Sequence, residues 1–317
     1  MTAPDQVIRR QQALALLKDP QSNVMRNICV TLSCEPADVQ DVEALISGLT
    51  NLSICFTVKG ERYVYRHPGR GTEEIVNRRA ETHALSIARD LGLDATYIHE
   101  DPQEGWKLSH FIEGCVPFDY SDPGHVARAM QLAARLHHSG TSSPWSFDFH
   151  QEAIVIQGML ERIGYPLPQG FQQLRAKIDR LHAHMAADHV DPVLCHNDFY
   201  GPNLLVKGDD MWLIDWEYSA MGDPACDIGN FVSQGSGYDP QQTVAILPFY
   251  YGREPNQQEI LHCLAAVAVV GYYWFVWAMY KDAMGNPVGE WLDIWLKAAQ
   301  DYSVVALEGY DALNKEV

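Results

Sequence analysis

The stretch Cys195-His196-Asn197-Asp198-Phe199-Tyr200-Gly201-Pro202-Asn203, followed by Ile214-Asp215-Trp216-Glu217, decides how this chain is interpreted. Its polar residues follow the order His-x-Asp-x-x-x-x-Asn, and a second Asp comes after a short apolar run. Mg2+ prefers hard oxygen ligands and keeps several of its waters, so one carboxylate and one amide oxygen suffice to hold it. The pattern therefore predicts a metal-binding loop with a further carboxylate beside it.

Apolar runs on either side of this loop predict short strands. The runs are Pro192 to Cys195 before the loop, Leu204 to Val206 after it, and Met211 to Ile214 beyond a polar turn. Such runs bounded by turn residues are typical of strands. Both candidate metal ligands, Asn203 and Asp215, would then lie at strand edges beside one polar loop.

The same residue types occur in the same order in the catalytic loop and metal-binding segment of kinases. In that chemistry Asp198 accepts the proton of the substrate hydroxyl, while Asn203 and Asp215 hold Mg2+ on the phosphates of ATP. The sequence therefore indicates an ATP- and Mg2+-dependent phosphotransferase. The alternative from the residues alone is a surface loop whose polar residues occur by chance.

Composition restricts the remaining possibilities. The chain has 317 residues, of which 47% are hydrophobic and 20% charged, which is typical of a globular protein with sizeable cores. The net charge of -18 disfavours nucleic-acid binding and suits a small cationic substrate. Seven cysteines without a CxxC pair, behind an N-terminus that lacks a signal peptide, predict reduced thiols and a cytoplasmic location. The oligomeric state stays open, with a homodimer among the options.

One apolar segment resembles a membrane span in length. No charged residue occurs from Cys263 to Tyr280. However, Gly271, Trp274 and Trp277 lie in its middle, where membrane spans prefer aliphatic residues and keep aromatic ones at their ends. We therefore predict a buried helix of a soluble protein and no stable membrane insertion.

The order of predicted elements indicates two lobes and an α+β fold of the bilobal, protein-kinase-like type. The first third is predicted to hold two short helices, one long helix and four strands: Val7–Leu17, Ala37–Ile46, Thr72–Leu91, Asn51–Val58, Arg62–Arg66, Thr96–His99 and Trp106–Ile112. Later helices are predicted at 124–139, 151–163, 170–188, 225–234, 257–284 and 288–308. Residues 1–112 would form a small antiparallel-sheet lobe and residues 113–317 a larger helical lobe, with the ligand in the cleft between them.

Further motifs make the chain similar to a known family. They are Gly48 to Ser53, Tyr65 to Gly69, Gly71-Thr72-Glu73 with Asn77-Arg78, Asp215-Trp216-Glu217-Tyr218 and Asp227-Ile228-Gly229-Asn230. From about Gly48 to Trp295 the chain resembles the choline/ethanolamine kinases, and within them the bacterial choline kinases. These belong to the wider kinase-like group that includes the aminoglycoside phosphotransferases. The resemblance implies phosphorylation of choline to phosphocholine.

The resemblance assigns nucleotide contacts to the first lobe. Thr50, Asn51 and Ser53 would lie in the turn that covers the phosphates, although the same residues also suit an ordinary turn. Arg66 stands where protein kinases carry Lys, and a guanidinium pairs well with phosphate oxygens. Glu81 would hold Arg66 in place; the alternative for both is a solvated charge. The adenine is expected near Phe111 and Ile112.

In the second lobe, the resemblance makes Asp198 the base and gives His196 either a bracing or a catalytic role. Glu217 would reach a second metal ion or its waters, or else be an exposed acid. Asp227 is predicted to be a buried scaffold acid that ties the catalytic loop.

The substrate pocket is predicted to be aromatic. Relatives box choline with two tryptophans spaced as Trp274 and Trp277 are, and Trp291 and Trp295 would close the box. Each cation–π contact contributes roughly 0.5–2 kcal/mol. The alternative is that these rings form core. Two positions depart from the family: Gln234 stands near a family acid, with Tyr238 and Asp239 further on, and Ile294 falls near a family tyrosine.

Three hypotheses follow. The leading one is a kinase of choline or a related small amino alcohol. The second is the same chemistry on another alcohol, such as ethanolamine, an aminoglycoside, thiamine or a sugar; aminoglycosides usually need several pocket acids. The third is a catalytically silent, kinase-like binding protein.

Overall fold

The computed structural model of the protein describes residues 3–45, 51–69 and 76–316. The chain divides into two units, Met1–Cys115 and Val116–Val317. The first unit contains an antiparallel sheet and the second is mostly helical, so the predicted α+β class is confirmed.

The first unit is built around a five-stranded sheet with the order β1-β2-β3-β5-β4, in which every pairing is antiparallel. The two-residue turn Lys59-Gly60 joins β2 to β3. Both residues have positive φ, 53° and 85°, which matches the right-handed twist of a hairpin. The strands are β1 (Gln40–Leu45), β2 (Leu52–Val58), β3 (Glu61–His67), β4 (Tyr97–Glu100) and β5 (Lys107–His110).

Three helices accompany this sheet: α1 (Ala3–Ala15), α2 (Asn23–Leu32) and α3 (Arg78–Asp90). The hydroxyl of Ser22 accepts a hydrogen bond from the backbone N–H of Met25 and so caps α2. The core of this unit joins Ile28 of α2 to side chains of the sheet, namely Ile54, Phe56, Val58, Tyr65 and Leu108. Helix α2 was not predicted.

Two predictions for the first unit are wrong. The segment predicted as the helix Ala37–Ile46 is a 3-10 turn, Pro36–Asp38, followed by β1, because pairing with β2 overrides local preference. Helix α3 begins at Arg78 instead of Thr72, since the side chain of Asn77 caps it. Thr72 and the motif Gly71-Thr72-Glu73 lie outside the described residues.

The second unit contains seven helices and two small two-stranded sheets in its described part. The helices are α4 (Pro123–His137), α5 (Phe149–Arg162), α6 (Phe171–Ala187), α7 (Ala225–Ser233), α8 (Pro240–Tyr251), α9 (Gln257–Ala283) and α10 (Trp291–Glu316). The strands are β6 (Val193–Cys195), β7 (Leu204–Lys207), β8 (Asp210–Leu213) and β9 (Ala220–Gly222). Strand β6 pairs with β9, and β7 pairs with β8.

Helix α9 forms the centre of this unit and packs against α5, α6, α7 and α10. Its side chains are buried from Leu261 to Met279. By length and composition it could cross a membrane, but 94% of its apolar window is buried. Helix α7 approaches closely because residue 229 is glycine: a Cβ there would lie 2.8 Å from the carbonyl oxygen of Ala266. The apolar run is thus a core helix, as predicted.

Some elements of the second unit were not predicted. Helix α8 was missed, although Asp239 and Gln242 form a capping box at its start. Its internal Pro248 disfavours a helix in the sequence pattern. Strand β9 was also missed, and α10 extends to Glu316 instead of ending near 308.

A partly buried ion triad connects three parts of this unit. His262 of α9 contacts Asp188, after α6, through Nδ1 and Asp223, before α7, through Nε2, both at 2.7 Å. Tyr310 of α10 donates a hydrogen bond to Asp188 at 2.6 Å. Burial alone lowers the pKa of His262, but the hydrogen bonds to Asp223 and Asp188 outweigh it and raise the pKa above its ordinary value.

We expect the triad to make stability depend on pH. A raised pKa contributes stability fully below the unfolded value, about 6.5, and this contribution is lost as pH rises through the folded value. His262→Gln should lower the free energy of unfolding by about 3 kcal/mol at pH 6, because two carboxylates lose their cation. Urea unfolding should show this difference shrinking towards pH 9.

The exposed His138 provides the control. His138→Gln should change the free energy of unfolding by less than about 0.5 kcal/mol at each pH. A His262→Gln effect that is constant across this pH range would show that the imidazolium charge is not what stabilises the unit.

Candidate active site

The catalytic loop is fixed by one buried carboxylate. Asp227, on α7, is fully buried, and its two oxygens accept the backbone N–H groups of His196 at 2.8 Å and Asn197 at 2.7 Å. His137 of α4 contacts the same carboxylate at 2.9 Å. Burial raises the pKa of Asp227, but the hydrogen bond from His137 and nearby positive charge outweigh it, so the pKa is lowered. Asp227 thus has the contacts expected of a scaffold acid.

The loop that Asp227 holds is strained and tightly packed. Asn197 has a φ of 63°, in the left-handed region that few residues other than glycine adopt. The imidazole of His196 is buried; Nε2 contacts the carbonyl of Ile214 at 3.1 Å, and Nδ1 accepts the backbone N–H of Asp198 at 3.3 Å. Through these contacts His196 joins the loop to the segment before Asp215.

Both oxygens of the Asp198 carboxylate are held by side-chain amides. Asn203 Nδ2 donates to Oδ2 at 3.0 Å and to the Asp198 carbonyl at 2.9 Å. Gln234 Nε2 donates to Oδ1 at 2.9 Å. Asp198 therefore has a fixed orientation in the protein alone.

The electrostatics around Asp198 favour its protonated form. Burial raises its pKa to about 8, and the carboxylates of Asp215 and Glu217 add to this, against the hydrogen bonds from Gln234 and Asn203. Three acids gathered in one place repel one another unless cations join them. The arrangement is therefore suited to bind positive charge, and it loses a proton more readily when a cation is present.

The predicted metal ligands fit Mg2+ by their chemistry. Asn203 uses its amide nitrogen on Asp198, which leaves its oxygen as the group that can accept or coordinate. The backbone N–H of Ile214 donates to the Asn203 carbonyl at 2.9 Å, and this brings Asp215 next to the loop. Asp215 has a φ of 71°, and Glu217 is buried two residues beyond it. One amide oxygen and two carboxylates form a hard donor set.

In the first unit, Arg66 and Glu81 form the predicted ion pair. Arg78 contacts the other oxygen of Glu81, Oε2, at 3.0 Å. Lys107 Nζ lies 3.7 Å from Oε1, the oxygen that Arg66 contacts. Glu100 lies 3.7 Å from Arg66. The sequence did not single out Lys107 or Glu100, because only the sheet brings β4 and β5 near Glu81. Arg78 belongs to the Asn77-Arg78 motif, but its contact with Glu81 was not predicted.

The two buried glutamates of this cluster differ in charge. Burial raises the pKa of Glu81, but the charges of Arg66 and Lys107 outweigh it and lower the pKa. Burial and the charge of Glu81 raise the pKa of Glu100. Glu81 is therefore the anion that holds Arg66, while Glu100 is the proton-bearing neighbour.

The other residues predicted to contact the nucleotide have the following surroundings in the first unit. Asn51 accepts the backbone N–H of Gly69 at 3.1 Å through its side chain, and Ser53 lies opposite Arg66 in the β2–β3 pair. The guanidinium of Arg62 lies 4.3 Å from the Phe111 ring. Ile112 is half-buried. Thr50 lies outside the described residues.

Four tryptophans of α9 and α10 form one aromatic cluster. Trp295 stacks on Trp274 and Trp291 with ring centres 5.7 and 5.4 Å apart, and Trp277 meets it edge-on at 6.1 Å. Trp274, Trp277 and Trp295 are buried, whereas Trp291 is half-buried. Lys281 Nζ lies 5.5 Å from the centre of the Trp277 ring. Trp291 thus offers the most open face of the cluster.

The two other predicted substrate residues contact protein groups. Gln234 binds Asp198, as described above. Tyr238 donates its hydroxyl proton to the carbonyl of Tyr120. Tyr120, which the sequence did not single out, accepts the backbone N–H of Gly201 at 2.7 Å through its hydroxyl. Residue 201 must be glycine here, because a Cβ would lie 2.9 Å from the Tyr120 ring.

Comparison with known proteins agrees with this geometry. The model of the phosphotransferase enzyme family APH matches residues 41–257. The chain belongs to this family. It is 24% identical to Protein LicA of Haemophilus influenzae over 78% of this chain and 75% of that protein. It is 23% identical to a probable ethanolamine kinase of Arabidopsis thaliana, over 82% of this chain and 78% of that one.

A solved structure shares the fold. The choline kinase LicA from Streptococcus pneumoniae superposes with a TM-score of 0.75 and 22% identity, over 89% of this chain and 98% of that chain. The resemblance predicted from the motifs and the kinase-like fold class is confirmed.

Asp227→Asn should loosen the catalytic loop. An amide keeps one acceptor oxygen but presents N–H to a backbone donor, so we expect about 3 kcal/mol less free energy of unfolding. The lowered pKa of Asp227 stabilises the wild type above about pH 4, and this contribution is lost as pH falls through the folded value. The difference between the two proteins in urea unfolding should therefore shrink in acid.

Asp311→Asn serves as the matched control, because Asp311 forms an exposed ion pair with Arg180. Asp311→Asn should lower the free energy of unfolding by less than about 1 kcal/mol. Equal destabilisation by both substitutions would contradict the scaffold role of Asp227.

Proposed function

We propose that this phosphotransferase uses ATP and Mg2+ to phosphorylate the hydroxyl of a small amino alcohol, with choline as the leading substrate and phosphocholine as the product. The observation that carries this proposal is the Asp198 carboxylate. It is held on both oxygens by Asn203 and Gln234, and Asp215 and Glu217 lie near enough to raise its pKa.

Each residue of the loop has a task in this chemistry. Asp198 accepts the hydrogen bond of the acceptor hydroxyl, orients its oxygen for in-line attack and takes its proton as the bond to the γ-phosphorus forms. The bond between that phosphorus and the bridging oxygen breaks, and ADP leaves. Asn203, Asp215 and Glu217 would hold Mg2+, which supplies charge neutralisation on the phosphates. His196 and Asp227 keep the loop in place, so little reorganisation is needed at the moment of reaction.

The nucleotide contacts of the proposal lie in the first unit. Arg66 would bind phosphate oxygens with its guanidinium, and the ion pair with Glu81 fixes its direction. Asn51 and Ser53 on β2 and its preceding turn would add polar contacts, and Phe111 and Ile112 would lie near the adenine.

Choline is favoured over other alcohols by charge and by the aromatic cluster. The acids at the loop offer countercharge to a cation, and the half-buried ring of Trp291 offers a π-face. Tyr200, in the catalytic loop, meets Trp291 edge-on at 6.3 Å, so this face lies near the loop. Ethanolamine is the second candidate, because one relative is a probable ethanolamine kinase. We propose a cytoplasmic location for the enzyme.

Turnover across a substrate panel tests the proposal. ADP release should be measured with Mg2+ATP and choline, ethanolamine, thiamine, kanamycin or homoserine. We expect strong stimulation by choline, and Asp198→Asn should lower that turnover by about 10²- to 10⁴-fold while ATP binding is kept. Stimulation by another alcohol alone would replace choline, and no stimulation by any would favour a silent binding protein.

Substitution of the open aromatic face tests the substrate class. Trp291→Ala should raise KM for choline by about threefold to thirtyfold, because a cation–π contact of roughly 0.5–2 kcal/mol is lost. Turnover number should change less. Trp277→Phe is the control: its ring already faces Lys281, so KM should stay within about twofold. A larger KM effect at Trp277 would place the cation at that ring instead.

A further inference from the structure

Gln234 lies beside Asp198, the residue proposed as the base. It directly follows α7, and its side chain is buried, with 4% exposed. Its amide nitrogen donates one hydrogen bond to Asp198 Oδ1 at 2.9 Å and another to Asn230 Oδ1 at 3.0 Å. Both amide protons therefore have acceptors, and the side chain bridges the base and α7.

Asn230 extends this bridge to the aromatic cluster. Its Oδ1 also accepts the indole N–H of Trp274 at 2.7 Å, and its Nδ2 donates to the carbonyl of Cys226 at 3.0 Å. Because its oxygen receives two donors, the Asn230 amide has one orientation only. A continuous series of hydrogen bonds thus runs from Trp274 through Asn230 and Gln234 to Asp198. Each side chain in this hydrogen-bonded chain fixes the orientation of the next.

The hydrogen bond at the end of this series restricts the rotation of the Asp198 carboxylate. Asn203 holds Oδ2 of Asp198, but one hydrogen bond still lets the carboxylate swing about it. The bond from Gln234 to Oδ1 supplies the second point. Transfer rates are sensitive to errors of about 1 Å in the placement of reacting groups, so a carboxylate held at two points is placed more usefully than one held at a single point.

We propose that Gln234 is a positioning residue, which holds the Asp198 carboxylate for the acceptor hydroxyl and links it through Asn230 to the indole of Trp274. The inference rests on the proposed function, since Asp198 must act on an alcohol. It gives Gln234 a task that a carboxylate could not perform, because an ionised Glu has no proton to donate and would face Asp198 at hydrogen-bond distance.

If Gln234 positions the base, its substitution should change the rate of phosphoryl transfer and leave substrate affinity almost unchanged. A residue that holds the base should affect the transfer step, whereas a residue that faces the substrate cation should affect KM. Gln234→Leu keeps the size of the side chain and removes both donors. The single-turnover rate of phosphoryl transfer should fall about tenfold to a hundredfold, while KM for ATP and for the alcohol stays within about twofold. Gln234→Glu should slow transfer at least as much.

A double-mutant cycle tests the link to α7. Asn230→Ala should also slow transfer, because Gln234 then loses the acceptor that orients it. If both residues act through one chain, the double variant with Gln234→Leu should be hardly slower than Gln234→Leu alone. If the rate losses of the two single variants multiply in the double variant, Asn230 acts separately, and the proposed link from Gln234 to Asn230 is wrong.

The control is a second buried glutamine. Gln157 is 3% exposed and donates to the Tyr272 hydroxyl at 3.1 Å, outside this hydrogen-bonded chain. Gln157→Leu should leave the transfer rate within about twofold, so a comparable loss there would reduce the effect at Gln234 to general destabilisation.

A readout without turnover separates this inference from the proposed function. The side-chain amide resonances of Gln234 in a ¹⁵N correlation spectrum should shift on Asp198→Ala. An active wild type whose Gln234→Leu variant keeps its rate overturns the inference alone, as does a Gln234→Glu variant with lower KM for choline and unchanged rate. A wild type inactive on every alcohol, with the resonances still responding, overturns the proposed function alone.

Discussion

The catalytic unit depends on a single buried anion, the carboxylate of Asp227. It accepts two consecutive backbone N–H groups, those of His196 and Asn197, and a third hydrogen bond from His137. This fixes the direction in which the loop leaves β6 and makes the left-handed conformation of Asn197 tolerable. The positions of Asp198 and Asn203 follow from that start, because the loop between them is only one short turn long.

The two units contain charge clusters of opposite character. In the first unit, the negative charge of Glu81 is surrounded by Arg66, Arg78 and Lys107, so the cluster is balanced towards positive charge and keeps a guanidinium in place. In the second, burial raises the pKa of Asp198 and the nearby carboxylates of Asp215 and Glu217 raise it further. A polyanion suits the first arrangement and cations suit the second.

The sequence predicted correctly those features that depend on residues close together in the chain. The order His-x-Asp-x-x-x-x-Asn, the flanking strands and the apolar helix α9 all depend on residues that are close in sequence. Strand β1 was mistaken for a helix because only its pairing with β2 reveals it. Two contacts were also not predictable from the sequence: strand order brings Lys107 to Glu81, and the position of Gln234 after α7 brings it to Asp198. The hydrophobic periodicity of a single segment cannot predict either of these two contacts.

The neutral residue at 234 does not count against a cationic substrate. The carboxylates of Asp215 and Glu217 already supply negative charge near Asp198, where they add to the burial that raises its pKa. A further carboxylate at 234 would raise that pKa again and keep the base protonated. An amide instead favours the ionised form of Asp198 by donating to it. The amide at 234 therefore aligns Asp198 and partly offsets the burial and the nearby carboxylates that raise its pKa.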